Sequence, residues 1–280
     1  MISGHTSLIA HLGYPTETFT APMIYNPWFE KNGIDAVVVP MGVRAEDYLS
    51  FLRPLFRLGN IRGALVTMPH KVTTAALLDE ASLAVKIAGS CNAILRRDDG
   101  SLYGDIFDGQ GFTRGAKRKG FDFTGADCLV VGAGGVGSAI VAAIAAERPR
   151  SLTICDIRSD AVQALAARLR RHYRDLPVEI RTSDPAGYDL VVNATPLGMK
   201  PDDPLPLDPA RLDPKAFVGE VVLTAEPTPL LRAAAARGCH HQIGTDMLFE
   251  QIPAYLEFFG YGTATPDELR AVARISYQSL

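Results

Sequence analysis

Gly132, Gly134 and Gly137 stand in the run G-A-G-G-V-G, a G-x-G-x-x-G spacing. The chemistry that such a turn offers is the binding of a pyrophosphate. The first glycine permits a tight turn, the second lets the backbone approach the anion, and the third lets the next helix pack against the preceding strand. Backbone N–H groups at the start of that helix then face the phosphates. Ala133, Gly135 and Val136 complete the loop. Alone the spacing is a weak signal, since an ordinary glycine-rich turn has it too. Its context is more specific. The apolar run 127–132 (D-C-L-V-V-G) precedes it, an Ala-rich stretch 138–146 follows, and a second apolar run 152–155 ends at Asp156, 24 residues after Gly132. This combination is the dinucleotide signature. A carboxylate at Asp156 accepts hydrogen bonds from the ribose 2′-OH of NAD and repels the 2′-phosphate of NADP, whereas Arg158 offers a guanidinium to that phosphate. The expectation is NAD ahead of NADP.

Elements that position this turn are legible from pattern. Residues 7–12, 36–40 and 63–68 read as buried strands, with helices over 22–32, 45–58 and 71–78 between them. Strand–helix alternation implies a parallel sheet. Further strands are expected at 188–193 and 217–223. Ser159 is placed as the N-cap of a helix to His172. Thr228-Pro229 starts a helix that Gly238 closes, and Thr265-Pro266-Asp267-Glu268 is a capping box. The expected fold is α/β: an N-terminal α/β substrate domain, a Rossmann-type dinucleotide domain, and C-terminal helices returning to the first. The boundaries are set at 1–108 with 247–280 for the first domain and 109–246 for the second.

Composition narrows the class. The 280 residues are 47% hydrophobic and 21% charged, with a formal net charge of −3, which permits a large core and argues against disorder. No broad positive field is available for nucleic acid. Residues 1–41 show no signal-peptide pattern, and no apolar run reaches the roughly 18–20 residues of a membrane span. Cys91, Cys128, Cys155 and Cys239 form no C-x-x-C pair and read as free thiols in a reducing compartment. A cytoplasmic protein with no nucleic-acid or membrane partner, monomeric or homodimeric, is expected.

Outside the glycine turn, short motifs recur in a fixed order. They are G-x-P (Gly13, Pro15), V-T-M-P-H-K (66–71), G-S-C-N (89–92), D-G-x-G-F (108–112), N-A-T-P-L-G-M (193–199) and G-x-x-M-L-x-x-Q (244–251). The ordered set resembles the shikimate dehydrogenase family, with its quinate/shikimate branches, over nearly the whole chain. The resemblance implies an NAD(P)-dependent alcohol dehydrogenase of a cyclic hydroxy acid. It implies a catalytic pair, Lys71 and Asp108, in a cleft between the domains. The chemistry is sound from first principles: hydride addition to a ketone leaves an alkoxide, and an ammonium supplies its proton. Asp108 would orient the lysine and hold a substrate hydroxyl. By the same resemblance Thr67, Asn92 and Gln251 face the substrate. The loop of Asn193 and Thr195 lines the nicotinamide side, with Met199, Gly244 and Met247 near the cofactor.

The chain departs from the family at the end that holds a substrate carboxylate. Counting without gaps, Phe19 and Ala21 occupy the positions of two serines and Leu223 that of a tyrosine. Ile106 and Phe107 replace the asparagine and threonine of N-T-D, and Leu65 the asparagine of N-V-T. An unpaired carboxylate against apolar side chains costs several kcal/mol. The expectation is shikimate-type chemistry on a substrate with a weaker or repositioned anion. Three other features are set aside. Cys239-His240-His241 is a poor metal site, because adjacent side chains seldom converge on one ion, and no metal is expected. The arginine-rich stretch 168–174 reads as a solvated helix face. His70 reads as either a substrate contact or a surface residue. A non-catalytic dinucleotide-responsive regulator is the alternative function, and retention of Lys71 and Asp108 disfavours it.

Overall fold

The computed structural model describes residues 2–200, 202–224 and 226–275, which form two compact units. The first comprises residues up to Val85, Ser90–Phe107 and the chain from Ile252 onward; the second comprises Lys86–Gly89 and Asp108–Gln251. Residues 276–280 of the expected C-terminal return lie outside the described residues.

In the first unit, strands β1 (Ser7–Gly13), β2 (Ala36–Gly42) and β3 (Ile61–Val66) alternate with helices α1 (Pro22–Lys31), α2 (Ala45–Leu55) and α3 (Lys71–Ala75). Then come β4 (Glu80–Ala81), α4 (Leu83–Ala88), β5 (Ala93–Arg96) and β6 (Leu102–Asp105). The sheet order is β2-β1-β3-β5-β6-β4. Strands β1, β2 and β3 pair in parallel, as the alternation predicts. Strand β5 pairs antiparallel with both β3 and β6, so the sheet is mixed and not wholly parallel. For β5 and β6 the cause is local: the tight connection from Arg97 to Ser101 allows only an antiparallel return. Pro40 lies in β2, at the sheet edge, where a missing N–H costs no ladder bond. Helix α2 buries Tyr48, Leu52 and Leu55, one stripe of a 3.6-residue period.

The second unit holds α5 (Asp108–Arg118), β7 (Asp127–Val131), α6 (Gly135–Ala146), β8 (Ser151–Cys155), α7 (Ser159–His172) and β9 (Val178–Ile180). It continues with β10 (Leu190–Asn193), β11 (Phe217–Glu220), α8 (Pro229–Ala236) and β12 (His240–Gln242). Its sheet runs β12-β11-β10-β7-β8-β9, and every pair is parallel. This is a doubly wound order that reverses between β7 and β10. Helix α6 is Ala-rich and buried on most sides. Helix α7 buries Val162, Leu165, Ala166 and Leu169 on one stripe. Phe112 of α5 is fully buried in the same core, its ring against Gly219 of β11. Helix α9 (Gly244–Phe259) begins in this unit and ends in the first, where α10 (Pro266–Val272) packs on α1.

Several boundaries differ from the sequence expectation. Helix α2 stops at Leu55, after Pro54, and α3 is one short turn. Helix α6 starts at Gly135, inside the glycine turn, and β11 stops at Glu220. Arg158, not Ser159, is the N-cap of α7, and no side chain caps that end; the Ser159 Oγ accepts instead from Gln163. The Thr228 cap and the Thr265–Glu268 capping box form as expected. Among the described residues no helix is long and apolar enough to cross a membrane.

Candidate active site

The glycine turn of the second unit is held by backbone contacts that leave no room for side chains. Gly132 has φ +111°, and a Cβ there would stand 2.7 Å from the Ala194 carbonyl. A Cβ on Gly137 would overlap the Gly132 carbonyl oxygen. Gly134, by contrast, has open space, with the nearest atom 3.8 Å away on Arg158. That opening lies at the N-cap of α6, where the backbone N–H groups of the first turn point out of the helix end. An open, amide-lined turn at a helix N-terminus fits a dinucleotide pyrophosphate. Ala133 and Val136 flank it, and the Ala133 N–H donates to Asp156 Oδ2 at 2.6 Å. Asp156 Oδ1 accepts from the Arg158 N–H at 2.9 Å and from its Nε at 3.3 Å. Burial opposes ionisation of Asp156, but the Arg158 guanidinium and the Ala133 amide outweigh it and hold the carboxyl below its usual range. The structure thus joins the turn, Asp156 and Arg158 into one cluster.

Asn193 and Thr195 belong to a second cluster built on a buried carboxylate that sequence reasoning missed. Glu220, at the end of β11, is 1% exposed. It accepts from Asn193 Nδ2 at 2.7 Å and from Thr228 Oγ1 at 2.5 Å. Burial pushes its carboxyl above the ordinary range, against the pull of those two donors. Asn193 also donates to the Leu197 carbonyl and accepts from the Thr195 N–H and hydroxyl. The loop after β10 is therefore fixed by one acid, and Ala194 in it presses on Gly132. Met199 is exposed in the same loop, as is Leu223 beyond β11. Gly244 packs on the Val221–Val222 backbone. Met247 is buried in the core, and Gly111 of α5 lies against the Met247 carbonyl and Gln251. Gln251 is 8% exposed, and its buried Oε1 has no partner among the described residues. Asp108 opens α5 and is 4% exposed.

In the first unit the expected residues gather at the carboxyl ends of β1 and β3. Lys71 is the first residue of α3, and its carbonyl accepts from the Cys91 N–H at 2.8 Å. Thr67 directly follows β3, and its N–H donates to Leu12 of β1. The Asn92 carbonyl accepts from the Val66 N–H, and its Oδ1 from the Phe107 N–H at 3.0 Å. Phe19 stacks on His11, with ring centroids 4.1 Å apart. Ala21 caps α1 without a side-chain hydrogen bond. Phe107 packs edge-on against Tyr255 and Phe258, and Leu65 and Ile106 are buried. His11 is the second residue that the sequence reading missed. Burial, reinforced by the Lys71 charge, lowers its pKa from 6.5 to about 4. The signal was available for both His11 and Glu220: each is an ionisable residue inside an apolar strand, which must be paired or neutral.

The features set aside above take structural roles. His70 is buried, stacks on Tyr48 at 3.8 Å and bonds the Val43 carbonyl through Nε2 at 2.8 Å; it is neither a surface residue nor a free substrate contact. Arg168 is half-buried and donates to the Ile87 and Ala88 carbonyls, and Arg170 donates to Val178, so this stretch is not simply a solvated face. His240 and His241 are neighbours on β12, whose pleat turns successive side chains to opposite faces. Among the described residues no group of three or more His, Cys, Asp or Glu is placed to hold a metal.

Residues 12–94 match the shikimate dehydrogenase substrate binding domain. The chain is 34% identical over 275 residues to the shikimate dehydrogenase (NADP(+)) of Acidiphilium cryptum, covering 98% of each chain. It is 39% identical over 284 residues to that of Salinibacter ruber, covering 95% of this chain and 98% of the other. It is similar in structure to shikimate 5-dehydrogenase from Listeria monocytogenes, solved in complex with shikimate and NAD, with a TM-score of 0.89, 26% identity and 97% of each chain covered. With the glycine turn and its doubly wound sheet, these likenesses define an NAD(P)-dependent oxidoreductase. More narrowly, the chain belongs to the shikimate dehydrogenase family.

The buried His11 generates a pH prediction. Its pKa is about 4 in the folded chain and 6.5 unfolded, so the native state binds fewer protons between these values. The contribution is present above pH 6.5 and is lost as pH falls toward 4. At about 1.4 kcal/mol per pKa unit, the loss is about 3 kcal/mol. Urea denaturation at pH 7 and pH 4.5 is expected to show a smaller drop for His11→Gln than for the unmodified chain. Equal drops would show that His11 does not titrate in this way.

Proposed function

We propose that the chain interconverts the alcohol and ketone forms of a cyclic hydroxy acid of the shikimate or quinate type. The observation that carries the proposal is Lys71, set beside Thr67 and Asn92 at the carboxyl edge of the first sheet, in a chain whose second unit fits a dinucleotide. In function we assign residues 1–108 with 247–280 to the substrate and 109–246 to the dinucleotide. The work is done on a small molecule in the cytoplasm, by a monomer or homodimer; the buried free thiols Cys91, Cys128 and Cys239 suit a reducing compartment.

When bound, the dinucleotide supplies or accepts the hydride. The Lys71 ammonium gives a proton to the oxygen of the reduced carbon, and as the free amine takes it back in the oxidation direction. Asp108, buried at the start of α5, is the carboxylate we assign to a substrate hydroxyl. Thr67, Asn92 and Gln251 are assigned to the remaining hydroxyls. Phe19, Ala21 and Leu223 give no hydroxyl to a carboxylate, which supports weak use of shikimate and better use of a substrate with less need of that anchor.

The cofactor we favour is NAD. Asp156 is fixed at the end of β8 by the Ala133 amide, where a ribose hydroxyl can donate to it and a phosphate is repelled. Arg158 opposes this preference, with an exposed guanidinium paired to the same carboxylate. The Acidiphilium cryptum and Salinibacter ruber relatives are named as NADP(+) enzymes, so the Asp156–Arg158 pair is the place to test the choice.

Lys71→Met is expected to lower kcat for shikimate or quinate oxidation by about two to four orders of magnitude while dinucleotide binding persists. Turnover within tenfold of the unmodified chain would remove Lys71 from the chemistry. Dinucleotide binding with no turnover of any cyclic hydroxy acid would favour the regulator alternative. For the cofactor, Asp156→Ala is expected to shift the kcat/KM ratio toward NADP+ by about tenfold, and Arg158→Ala to shift it toward NAD+. Unchanged ratios in both variants would place the determinant elsewhere.

A further inference from the structure

His11 has no part in the chemistry assigned so far. Side chains alternate along β1, so His11 shares a face with Gly13. A Cβ on Gly13 would stand 2.5 Å from Thr67 Cγ2 and 2.8 Å from Phe19 Cζ. Phe19 in turn stacks on the His11 ring at an interplanar angle of 29°. His11, Phe19 and Thr67 therefore converge at the carboxyl end of β1, within electrostatic reach of Lys71.

Among the described residues the Nδ1 of His11 is buried and has no hydrogen-bond partner. Leaving such a group buried and unpaired is unfavourable. Its neighbours Ile9, Ala10 and Leu12 show what the core of β1 otherwise holds. Asn92, at the same sheet edge, has the same defect: Oδ1 is used by Phe107, but Nδ2 is buried without a partner. Two buried side-chain nitrogens without partners among the described residues, at the edge that carries Lys71, point to a ligand that completes them. A neutral imidazole has one donor and one acceptor, and an amide nitrogen has donors only. A hydroxyl, itself donor and acceptor, satisfies the first, and any oxygen satisfies the second.

We propose that His11 is a substrate-specificity residue: with Asn92 it hydrogen-bonds uncharged oxygens on the ring of a polyhydroxylated alicyclic substrate. The assignment rests on the reading that Lys71 marks the substrate site. It makes the wall beside Phe19 a hydroxyl-recognising surface with no second cation from His11, in place of a carboxylate anchor.

Binding of shikimate, at up to millimolar concentration, can be followed by ligand-detected NMR for the unmodified chain, His11→Phe and His11→Gln. His11→Phe keeps the aromatic stack and removes both nitrogens. It is expected to weaken binding about tenfold or more, the scale of one hydrogen bond. His11→Gln should recover part of the loss, and covers the case in which the phenylalanine variant fails to fold. In turnover KM should rise by the same factor, with kcat changed less than threefold. Unchanged binding in His11→Phe with a raised Tm would overturn the proposal, since the histidine would then be a structural defect only. No binding of shikimate by the unmodified chain would overturn this proposal, and no turnover of shikimate or quinate would overturn the substrate assignment. Binding that depends on His11, with normal turnover by Lys71→Met, would overturn the Lys71 reading alone.

Discussion

Parallel strand pairing is the constraint on which the rest depends. Parallel neighbours present their carboxyl ends along one edge, and each crossover helix must start near that edge. In the first unit, the register of β1 with β3 sets Leu12 opposite Val66, so His11, Gly13, Thr67 and Lys71 follow one another across two adjacent strand ends. In the second unit, β7, β8, β10 and β11 end at Val131, Cys155, Asn193 and Glu220. The glycine turn, Asp156, the Asn193 loop and the Glu220 carboxylate therefore share an edge at the point where the strand order reverses. The ladder brings residues distant in sequence to one edge, and side-chain bonds such as Asn193 to Glu220 then fix them there.

Close backbone packing then converts that edge into a site. The contacts of Gly132 with Ala194, and of Gly137 with Gly132, tie the turn to the loop after β10. That loop is fixed by a buried acid with two donors, Asn193 and Thr228. One carboxylate thus positions two features: the loop that follows β10 and the cap of α8. A buried acid with pairing of this quality is costly to break and gives a defined local geometry. In the first unit the electrostatics run differently. His11 is kept neutral by burial and by the nearby Lys71 charge.

Much of this was legible in the sequence, because the signals were local. The glycine turn, flanked by apolar strands and closed by Asp156, needed only spacing. The Thr228 and Thr265 caps needed only a side-chain oxygen three residues before an N–H. The order of the short motifs carried the family. What was missed was set by tertiary context. Strand β5 is four residues long, too short for a period to show its antiparallel return. His11 and Glu220 lie inside apolar runs that read as plain core strands. That each must be paired or neutral follows from the run itself, but the partners and charges that face each appear only once the neighbours on adjacent strands are known. Arg168 reads as surface by helical spacing, yet it is drawn down by the Ile87 and Ala88 carbonyls, some eighty residues away in sequence.

The central claim is hydride exchange between a ring carbon of a cyclic hydroxy acid and a nicotinamide, with Lys71 handling the proton. It is tested most directly by label transfer. Ring-deuterated shikimate or quinate is incubated with the protein and oxidised dinucleotide, and the reduced dinucleotide is analysed by mass spectrometry. The account predicts one deuterium in the reduced nicotinamide, formed at a rate that collapses in Lys71→Met. Reduced dinucleotide without deuterium, or no reduction although both molecules bind, would contradict it.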